Sequence, residues 1–315
     1  MRKLRIRPHL PRPKPSPMYN AFFGFTQNPF NMSPDPTFLF RSRQHEEALA
    51  NLIYGVQSRK GFIVLTGQAG TGKTTMLECL RDFLYTQQIA FASLFNSRLS
   101  VEQFFEMLSY DFGLKGNRQS KTETLVALNE MLLERAQTGR TTALIVDEAH
   151  NFGWDVLEEI RLLGNLENRR GKLLQIVIAG QQELDDKLER PEFRQLKQRI
   201  SLRCLLRGFD LDETEDYIHS RMARAGIRDQ TIIPGDIVFE IHKRSQGIPR
   251  LINAICDNLL LNAFAMECNT ASLEMLDEVT ADMRIDHCEK PTTLQKNPHK
   301  TEPRPLQRTV SYRPE

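Results

Sequence analysis

The sequence predicts an α/β protein with a doubly wound parallel sheet, followed by an all-helical C-terminal domain. Three observations indicate this class. Short apolar runs of strand length alternate with segments of helical periodicity, the pattern of a parallel sheet covered by helices on both faces. A glycine-rich motif typical of phosphate binding follows the first of these runs. After residue 209 the strand-like runs cease, and only segments with helical spacing follow.

The glycine-rich motif is Gly-Gln-Ala-Gly-Thr-Gly-Lys-Thr at residues 67–74. It follows the apolar run 62–65 and opens a helical segment, 74–83, as a phosphate-binding loop does. The glycines let backbone N–H groups turn towards a phosphate, and the helix adds its positive N-terminal end. We expect Lys73 to reach the outer phosphates and the Thr74 hydroxyl to hold a magnesium ion. The predicted nucleotide-binding residues are Gly67, Gln68, Ala69, Gly70, Thr71, Gly72, Lys73, Thr74 and Thr75.

The segment before this loop is aromatic. Residues 18–40 combine phenylalanines with Asn-Pro, Ser-Pro and Asp-Pro turn signals, so we expect them to lie against the folded body near the nucleotide. Helical spacing follows at 44–56. A helix directly before the first strand commonly borders the adenine, which makes residues 38–40 and His45 candidate contacts of the base. His45 is equally well interpreted as an ordinary residue of a helix start.

Two acids follow the next long apolar strand. The run 143–146 ends at Asp147 and Glu148, at the edge of the sheet where α/β proteins bind ligands. Asp147 is suited to holding magnesium, and Glu148 to polarising the water that attacks a phosphoanhydride. The alternative is two surface acids at a strand end. We interpret His150 as a structural loop residue rather than a catalyst.

Two further candidates lie downstream. The apolar strand 173–180 ends at Gln181, which is either a contact of the γ-phosphate or attacking water, or a loop glutamine. Arg194 and Arg199 lie at a helix end before a short strand, where an arginine can enter a neighbouring subunit's site and stabilise transferred charge. The alternative is a surface arginine in a salt bridge. Arg199 fits the first role better because it directly precedes the strand.

The helical domain contains the tetrapeptide Gly247-Ile-Pro-Arg250 between two predicted helices. Proline favours the first turn of a helix, which places Arg250 at a helix start from which it can reach the nucleotide. The sequence therefore divides into four parts, of which we expect the first and last to be disordered: a basic arm at 1–17, an ATPase core at 18–208, a helical lid at 209–287 and a tail at 288–315.

Composition restricts the class of protein. The chain is 40% hydrophobic and 26% charged, as in soluble globular proteins, and no apolar run approaches the roughly 18 residues that cross a bilayer. No secretory signal follows the basic N-terminus, so we expect a cytoplasmic protein. Residues 1–17 hold six Lys or Arg and no acid, and the tail is also basic, which leaves an acidic body that disfavours DNA as the main partner. The scattered cysteines indicate reduced thiols: Cys79, Cys204, Cys256, Cys268 and Cys288.

In this order the motifs resemble those of the AAA+ ATPases, with Walker A at 67–74, Walker B at 143–148, a sensor at Gln181, a finger arginine at Arg199 and a lid arginine at Arg250. Over roughly residues 18–285 the chain more narrowly resembles the ATPase domain of the general secretion pathway protein A (ExeA) family. TniB-type transposition ATPases and MshM-type pilus-biogenesis ATPases share much of the set. The residues that carry the narrower resemblance are Met18-Tyr19, Phe22-Phe23-Gly24-Phe25, Asn28-Pro29-Phe30, Pro34-Asp35-Pro36, Phe38, Leu52, Gly55, Val146-Asp147-Glu148-Ala149-His150, Gly180-Gln181, Leu196-Lys197-Gln198-Arg199 and Gly247-Ile248-Pro249-Arg250.

The resemblance implies an enzyme that uses ATP and Mg²⁺ and works as a homo-oligomer, since a finger arginine has no target in a monomer. It implies protein partners in a secretion or envelope-assembly system. Gln182 stands where the family usually has proline, and the family's membrane span and peptidoglycan-binding domain do not follow, so we expect a cytoplasmic, ATPase-only form. The alternatives are a DNA-associated ATPase of the transposition or initiator type, which the basic termini leave open, and an ATP-gated scaffold with negligible turnover.

Overall fold

The computed structural model describes residues 18–32, 40–95, 98–114, 120–169, 171–229 and 231–285. The predictions of a disordered arm at 1–17 and a disordered tail at 288–315 lie outside these ranges, as does the predicted base contact at residues 38–39. Within the described ranges, no helix combines the length and apolar character that crossing a bilayer requires.

Seven strands are present in the described residues: β1 (Phe62–Gly67), β2 (Ala90–Leu94), β3 (Thr142–Val146), β4 (Glu167–Asn168), β5 (Gly171–Lys172), β6 (Gln175–Gly180) and β7 (Ile200–Leu206). Five of them form one sheet in the order β2-β3-β6-β1-β7, and every pairing in it is parallel. β4 and β5 form a separate antiparallel hairpin. The phosphate-loop strand β1 therefore lies inside the sheet, between β6 and β7.

Helices connect and cover these strands. Those of the sheet domain are α2 (Arg43–Gln57), α3 (Lys73–Thr86), α4 (Val101–Asp111), α5 (Lys121–Gln137), α6 (Trp154–Leu163), α7 (Gln182–Glu189) and α8 (Arg194–Lys197). A short helix, α1 (Met18–Phe23), precedes them. The C-terminal part contains α9 (Leu211–Arg224), α10 (Gly235–Ser245), α11 (Pro249–Ala265) and α12 (Leu273–Asp282).

Alternate side chains of β1 enter different hydrophobic cores. Phe62 and Val64 join a core with α4, α5 and α6, whereas Ile63 and Leu65 join a core with α2 and α3 on the opposite face. A strand buried on both faces reads as a continuous apolar run, which is why the run 62–65 was recognisable. The structure confirms the predicted doubly wound parallel sheet with a helical C-terminal part.

The helical part has its own hydrophobic core, and the aromatic N-terminal segment belongs to it. Tyr19, Phe23, Phe25 and Phe30 are buried among residues of α9 to α12. The Thr26 N–H also donates to the Ala225 carbonyl at 2.8 Å. The sequence-based division assigned these residues to the core at 18–208, whereas the structure packs residues 18–32 against the lid. Their apolar content indicated burial but did not indicate which domain buries them.

The segment that follows β7 and the loop that precedes α11 meet at a close backbone contact. The Phe209 N–H donates to the Gly247 carbonyl at 2.8 Å. Gly247 has φ +69°, and a Cβ at this position would lie 2.0 Å from the Phe209 carbonyl oxygen. Only glycine satisfies both requirements, which explains the first residue of the Gly-Ile-Pro-Arg tetrapeptide.

Candidate nucleotide-binding site

The phosphate-binding loop connects β1 to α3. Gly70 and Gly72 have φ values of +84° and +99°, which favour glycine. Gly67 is restricted by space instead, since a Cβ there would lie 2.4 Å from the Leu206 carbonyl oxygen on β7. α3 begins at Lys73, so its positive N-terminal end adjoins the loop. The loop thus has the conformation and the field that a phosphate group requires.

Lys73 is buried beneath the loop that precedes it. Its Nζ donates to the carbonyl oxygens of Gly67 and Gln68, each at 2.9 Å. Burial lowers the pKa of Lys73, and the nearby carboxylates of Glu148 and Asp147 oppose this shift. Backbone carbonyls therefore hold the Lys73 side chain at the loop, close to Asp147 and Glu148 at the end of β3.

A hydrogen bond joins Thr74 of the phosphate loop to Asp147 after β3. Thr74 Oγ1 donates to Asp147 Oδ2 at 3.1 Å. The other carboxylate oxygen, Oδ1, accepts from the Glu148 N–H at 2.8 Å. Burial raises the pKa of Asp147, and these two hydrogen bonds oppose the shift. A hydroxyl and a carboxylate are hard oxygen donors of the type that Mg²⁺ prefers, and Mg²⁺ typically takes its other ligands from phosphate and water. The pair fits that ion.

Glu148 lies at the turn after β3 with φ +52°, an uncommon conformation for a residue other than glycine. Its Oε2 lies 3.4 Å from His150 Nε2 and 3.4 Å from Gln181 Nε2. His150 Nδ1 accepts from the Gln181 N–H at 3.3 Å, which places the imidazole proton on Nε2, facing Glu148. The Glu148 carboxylate therefore lies between the side chains of His150 and Gln181.

The turn that carries His150 is held by a lysine of α7. Lys187 on α7 donates to the His150 carbonyl and, at 2.9 Å, to the Phe152 carbonyl. Sequence reasoning assigned His150 only a structural role in the loop, and its contacts with both Glu148 and Gln181 were missed. The spacing gave one signal, because a histidine two residues after the acid lies in the same tight turn.

The lid approaches the phosphate loop through the start of α11. The Arg250 N–H donates to the Gly70 carbonyl at 3.3 Å, and a Cβ on Gly70 would lie 2.7 Å from Arg250 Cβ. Pro249 occupies the first turn of the helix, as expected. Between loop and lid lies a cavity of 230 Å³. Its lining includes Asn31, Met32, Phe40, His45, Ala69, Gly70, Gly72, Lys73, Thr74, Thr75, Glu148, Gln181, Phe209, Tyr217, Arg221, Arg250 and Asn253.

His45 contacts the phosphate loop directly. Its Nε2 lies 3.0 Å from the Thr71 carbonyl oxygen and its Nδ1 lies 2.8 Å from Ser42 Oγ. Since a carbonyl only accepts, Nε2 carries the proton and Nδ1 accepts from the serine hydroxyl. Burial lowers the pKa of His45, which favours this neutral form. His45 thus supports the loop backbone as well as lining the cavity, and neither sequence interpretation included that support.

Arg199 lies away from this cavity. Its Nη1 donates to the Arg161 carbonyl at 3.2 Å and to Asn165 Oδ1, at the end of α6. It does not line its own chain's cavity, which leaves a role in a neighbouring subunit's site as a prediction. Arg194, the weaker candidate, is exposed on α8.

Sequence reasoning missed the lid side chains that line the cavity beyond Arg250. Tyr217 and Arg221 lie one turn apart on α9, and Asn253 lies three residues after Arg250 on α11. Residues at these spacings share a helix face. The motif predicts Arg250, and Asn253 shares its helix face, whereas Tyr217 and Arg221 share a face of a different helix for which the sequence offers no motif.

The sheet order, the phosphate loop with its acids and the helical lid define a nucleotide-binding P-loop protein of the AAA+ class. The family described as AAA domain matches residues 56–188. Cdc6p from Pyrobaculum aerophilum superposes with a TM-score of 0.60 at 21% identity, over 80% of this chain and 70% of that one. The Aeropyrum pernix ORC2 protein gives 0.59 at 15% identity, over 81% and 71%. Drosophila ORC bound to DNA gives 0.57 at 19% identity, over 90% and 70%. Similarity at these identities shows the fold alone.

A more specific similarity comes from sequence. Over 250 residues the chain is 40% identical to general secretion pathway protein A from Aeromonas hydrophila. The matched region covers 79% of this chain and 45% of that protein. The chain thus spans about half the length of this curated relative. The chain is an AAA+ P-loop protein, and its resemblance to the ATPase domain of general secretion pathway protein A is confirmed.

Proposed function

We propose that this chain is a Mg²⁺-dependent ATPase that couples hydrolysis to movement of its lid and to its assembly state. The supporting observation is that residues from four separate sequence motifs meet around one cavity. They are Lys73 and Thr74 of the loop, Asp147 and Glu148 after β3, Gln181 after β6, and Arg250 of the lid.

Each side chain has a role in this proposal. Lys73 and Arg250 neutralise phosphate charge, and Glu148 accepts a proton from the attacking water while His150 and Gln181 hold its carboxylate. Thr74 and Asp147 would hold Mg²⁺, which when bound neutralises charge on the phosphate oxygens. The buried position of Asp147 fixes its carboxylate relative to the loop, so that binding requires little rearrangement of the chain.

Two substitutions test the assignment. Lys73→Ala should abolish ATP binding, measured by calorimetry. Glu148→Gln keeps the shape of the side chain and its hydrogen bonds but removes the base, so it should bind ATP and release no phosphate. Wild-type turnover by Glu148→Gln would show that Glu148 is not the base. Negligible steady-state phosphate release by the wild type would instead favour the ATP-gated scaffold.

We also propose a homo-oligomer in which Arg199 acts on the neighbouring subunit's nucleotide. Arg199→Ala should still bind ATP but lose turnover. Mixing Arg199→Ala with Glu148→Gln should restore part of the activity, since some interfaces then combine an intact Glu148 with an intact Arg199. Full activity of a dilute wild-type monomer, or no recovery on mixing, would contradict the role in trans.

The proposed biological setting is a secretion or envelope-assembly system with protein partners, supported by the 40% identity to general secretion pathway protein A. The alternative is a DNA-associated ATPase of the transposition or initiator type, which the basic termini support. A DNA titration at several salt concentrations separates the two, because binding through phosphates weakens steeply with salt. Tight DNA binding that stimulates turnover would favour the alternative.

A further inference from the structure

Asn253 is a buried amide with unused hydrogen-bond donors at the cavity. The residue is 7% exposed, and its Oδ1 accepts from the Tyr217 hydroxyl at 2.9 Å. Its Nδ2 makes no hydrogen bond to any described residue, yet it is not sealed in the interior, because Asn253 lines the cavity. A buried amide normally uses its donors, so the two free N–H groups indicate a ligand that accepts them.

The orientation of this amide follows from its neighbours. Arg221 Nη1 donates to the Tyr217 hydroxyl oxygen at 2.8 Å. A guanidinium can only donate, so the tyrosine proton must point elsewhere, and Asn253 Oδ1 is the acceptor within reach. Arg221 is itself held by the Pro29 carbonyl at 2.5 Å and the Asn31 carbonyl at 3.3 Å. The amide nitrogen is thereby turned away from Tyr217.

The position of Asn253 along α11 indicates which part of a nucleotide it meets. Arg250 contacts the phosphate loop at Gly70, and Asn253 lies on the same helix face, about 4.5 Å further along the axis. There the cavity is bordered by the aromatic side chains of Phe40 and Tyr217, whose rings are 5.6 Å apart. An acceptor at this distance from the loop belongs to the nucleoside rather than to the outer phosphates.

We infer that Asn253 donates a hydrogen bond to the ribose or base of the bound nucleotide, with Tyr217 and Arg221 as its positioning residues. This inference rests on the proposed ATP site and adds a second lid contact to Arg250. It concerns binding and does not require hydrolysis.

The experiment measures ADP affinity by calorimetry on the full chain. Asn253→Leu removes the donors without adding charge and should weaken ADP about threefold to tenfold, the effect of one hydrogen bond. Asn253→Asp keeps the acceptor for Tyr217 but replaces the donors, and should weaken ADP at least as much. The matched control, Asn258→Asp, makes the same change at an exposed position of the same helix and should bind ADP like the wild type.

Binding of tripolyphosphate tests the phosphate contacts separately from the nucleoside contacts. Asn253→Leu should bind it with wild-type affinity, because it lacks a nucleoside. Wild-type ADP affinity in both Asn253 variants would overturn the inference, and an equal loss of tripolyphosphate affinity would overturn the assignment to the nucleoside. If the wild type binds ADP but releases no phosphate from ATP, the proposed hydrolysis fails while this test still decides the role of Asn253. Absence of ADP binding by the wild type would overturn both.

Tyr217→Phe tests the positioning. It removes only the hydroxyl and should weaken ADP binding in the wild-type background, but not when Asn253 is already leucine, because the two residues act as one unit. Additive losses would overturn the positioning role. Melting temperatures of all variants show whether a loss of affinity reflects unfolding instead.

Discussion

Replacing Gly247 with alanine should show the cost of disturbing the contact between the segment after β7 and the loop before α11, beyond the cost of a strained backbone. The added Cβ would lie 2.0 Å from the Phe209 carbonyl oxygen and 2.7 Å from the Phe209 nitrogen. Both are backbone atoms, so no side-chain rotation relieves the overlap, and the two segments must separate by about 1 Å or more. The hydrogen bond from the Phe209 N–H to the Gly247 carbonyl should then be weakened or lost.

Gly139 provides the matched control. Its φ of +74° is close to the +69° of Gly247, but an added Cβ there meets no atom within 4 Å. Alanine at either position costs about 1–2 kcal/mol for the left-handed conformation. Gly247→Ala adds overpacking, about 1–3 kcal/mol, and a lost hydrogen bond, about 1 kcal/mol, so it should destabilise by about 2–4 kcal/mol more than Gly139→Ala.

Urea unfolding followed by circular dichroism measures this difference, and calorimetry with ADP measures its effect on the site. Since Arg250 lies three residues beyond Gly247, displacement of the start of α11 should also weaken ADP binding, while Gly139→Ala should leave ADP affinity unchanged. Equal losses of unfolding free energy in the two variants, within about 0.5 kcal/mol, would refute the reasoning that the close contact with Phe209 adds to the cost of alanine at residue 247.

Two further predictions concern histidines. His150→Asn should lower kcat about tenfold, because the contact with Glu148 is lost. His150→Gln keeps a donor near the position of Nε2 and should retain more turnover. A fall in ADP affinity instead of kcat would argue that His150 does not position Glu148. Because burial lowers the pKa of His45, the unfolded chain binds more protons than the folded one as the pH falls through about 6.5. The unfolding free energy of the wild type should therefore decrease with acidification more steeply than that of His45→Gln, and parallel curves would contradict it.

The sequence predicted the parts of the fold that depend on local patterns. The buried strands appear as apolar runs because helices cover both faces of the sheet. The phosphate loop is recognisable because its backbone conformation requires glycine at particular positions. Arg250 was predicted because proline and glycine mark a helix start. In each case the physical requirement acts within a few residues of the chain, so it leaves a compact signal.

The missed features depend on contacts between distant segments. His45 supports the Thr71 carbonyl across 26 residues, and Arg221 reaches the carbonyl of Pro29 across 192. The burial of the aromatic segment against the lid is of the same kind. Aromatic composition predicts burial, but the choice between two hydrophobic cores is made by the three-dimensional arrangement, which no local pattern records.

The arrangement of the hydrophobic cores supports the proposed movement of the lid. The lid and residues 18–32 share a hydrophobic core that is distinct from the two cores of the sheet, so we expect them to move together. Across the junction between the sheet domain and the lid, the Arg250 N–H donates to the Gly70 carbonyl. This hydrogen bond contributes about 1 kcal/mol, as would a hydrogen bond from Arg250 or Asn253 to a ligand. We therefore expect a nucleotide that binds the closed arrangement more tightly to shift the lid by as much as its difference in binding free energy between the two arrangements.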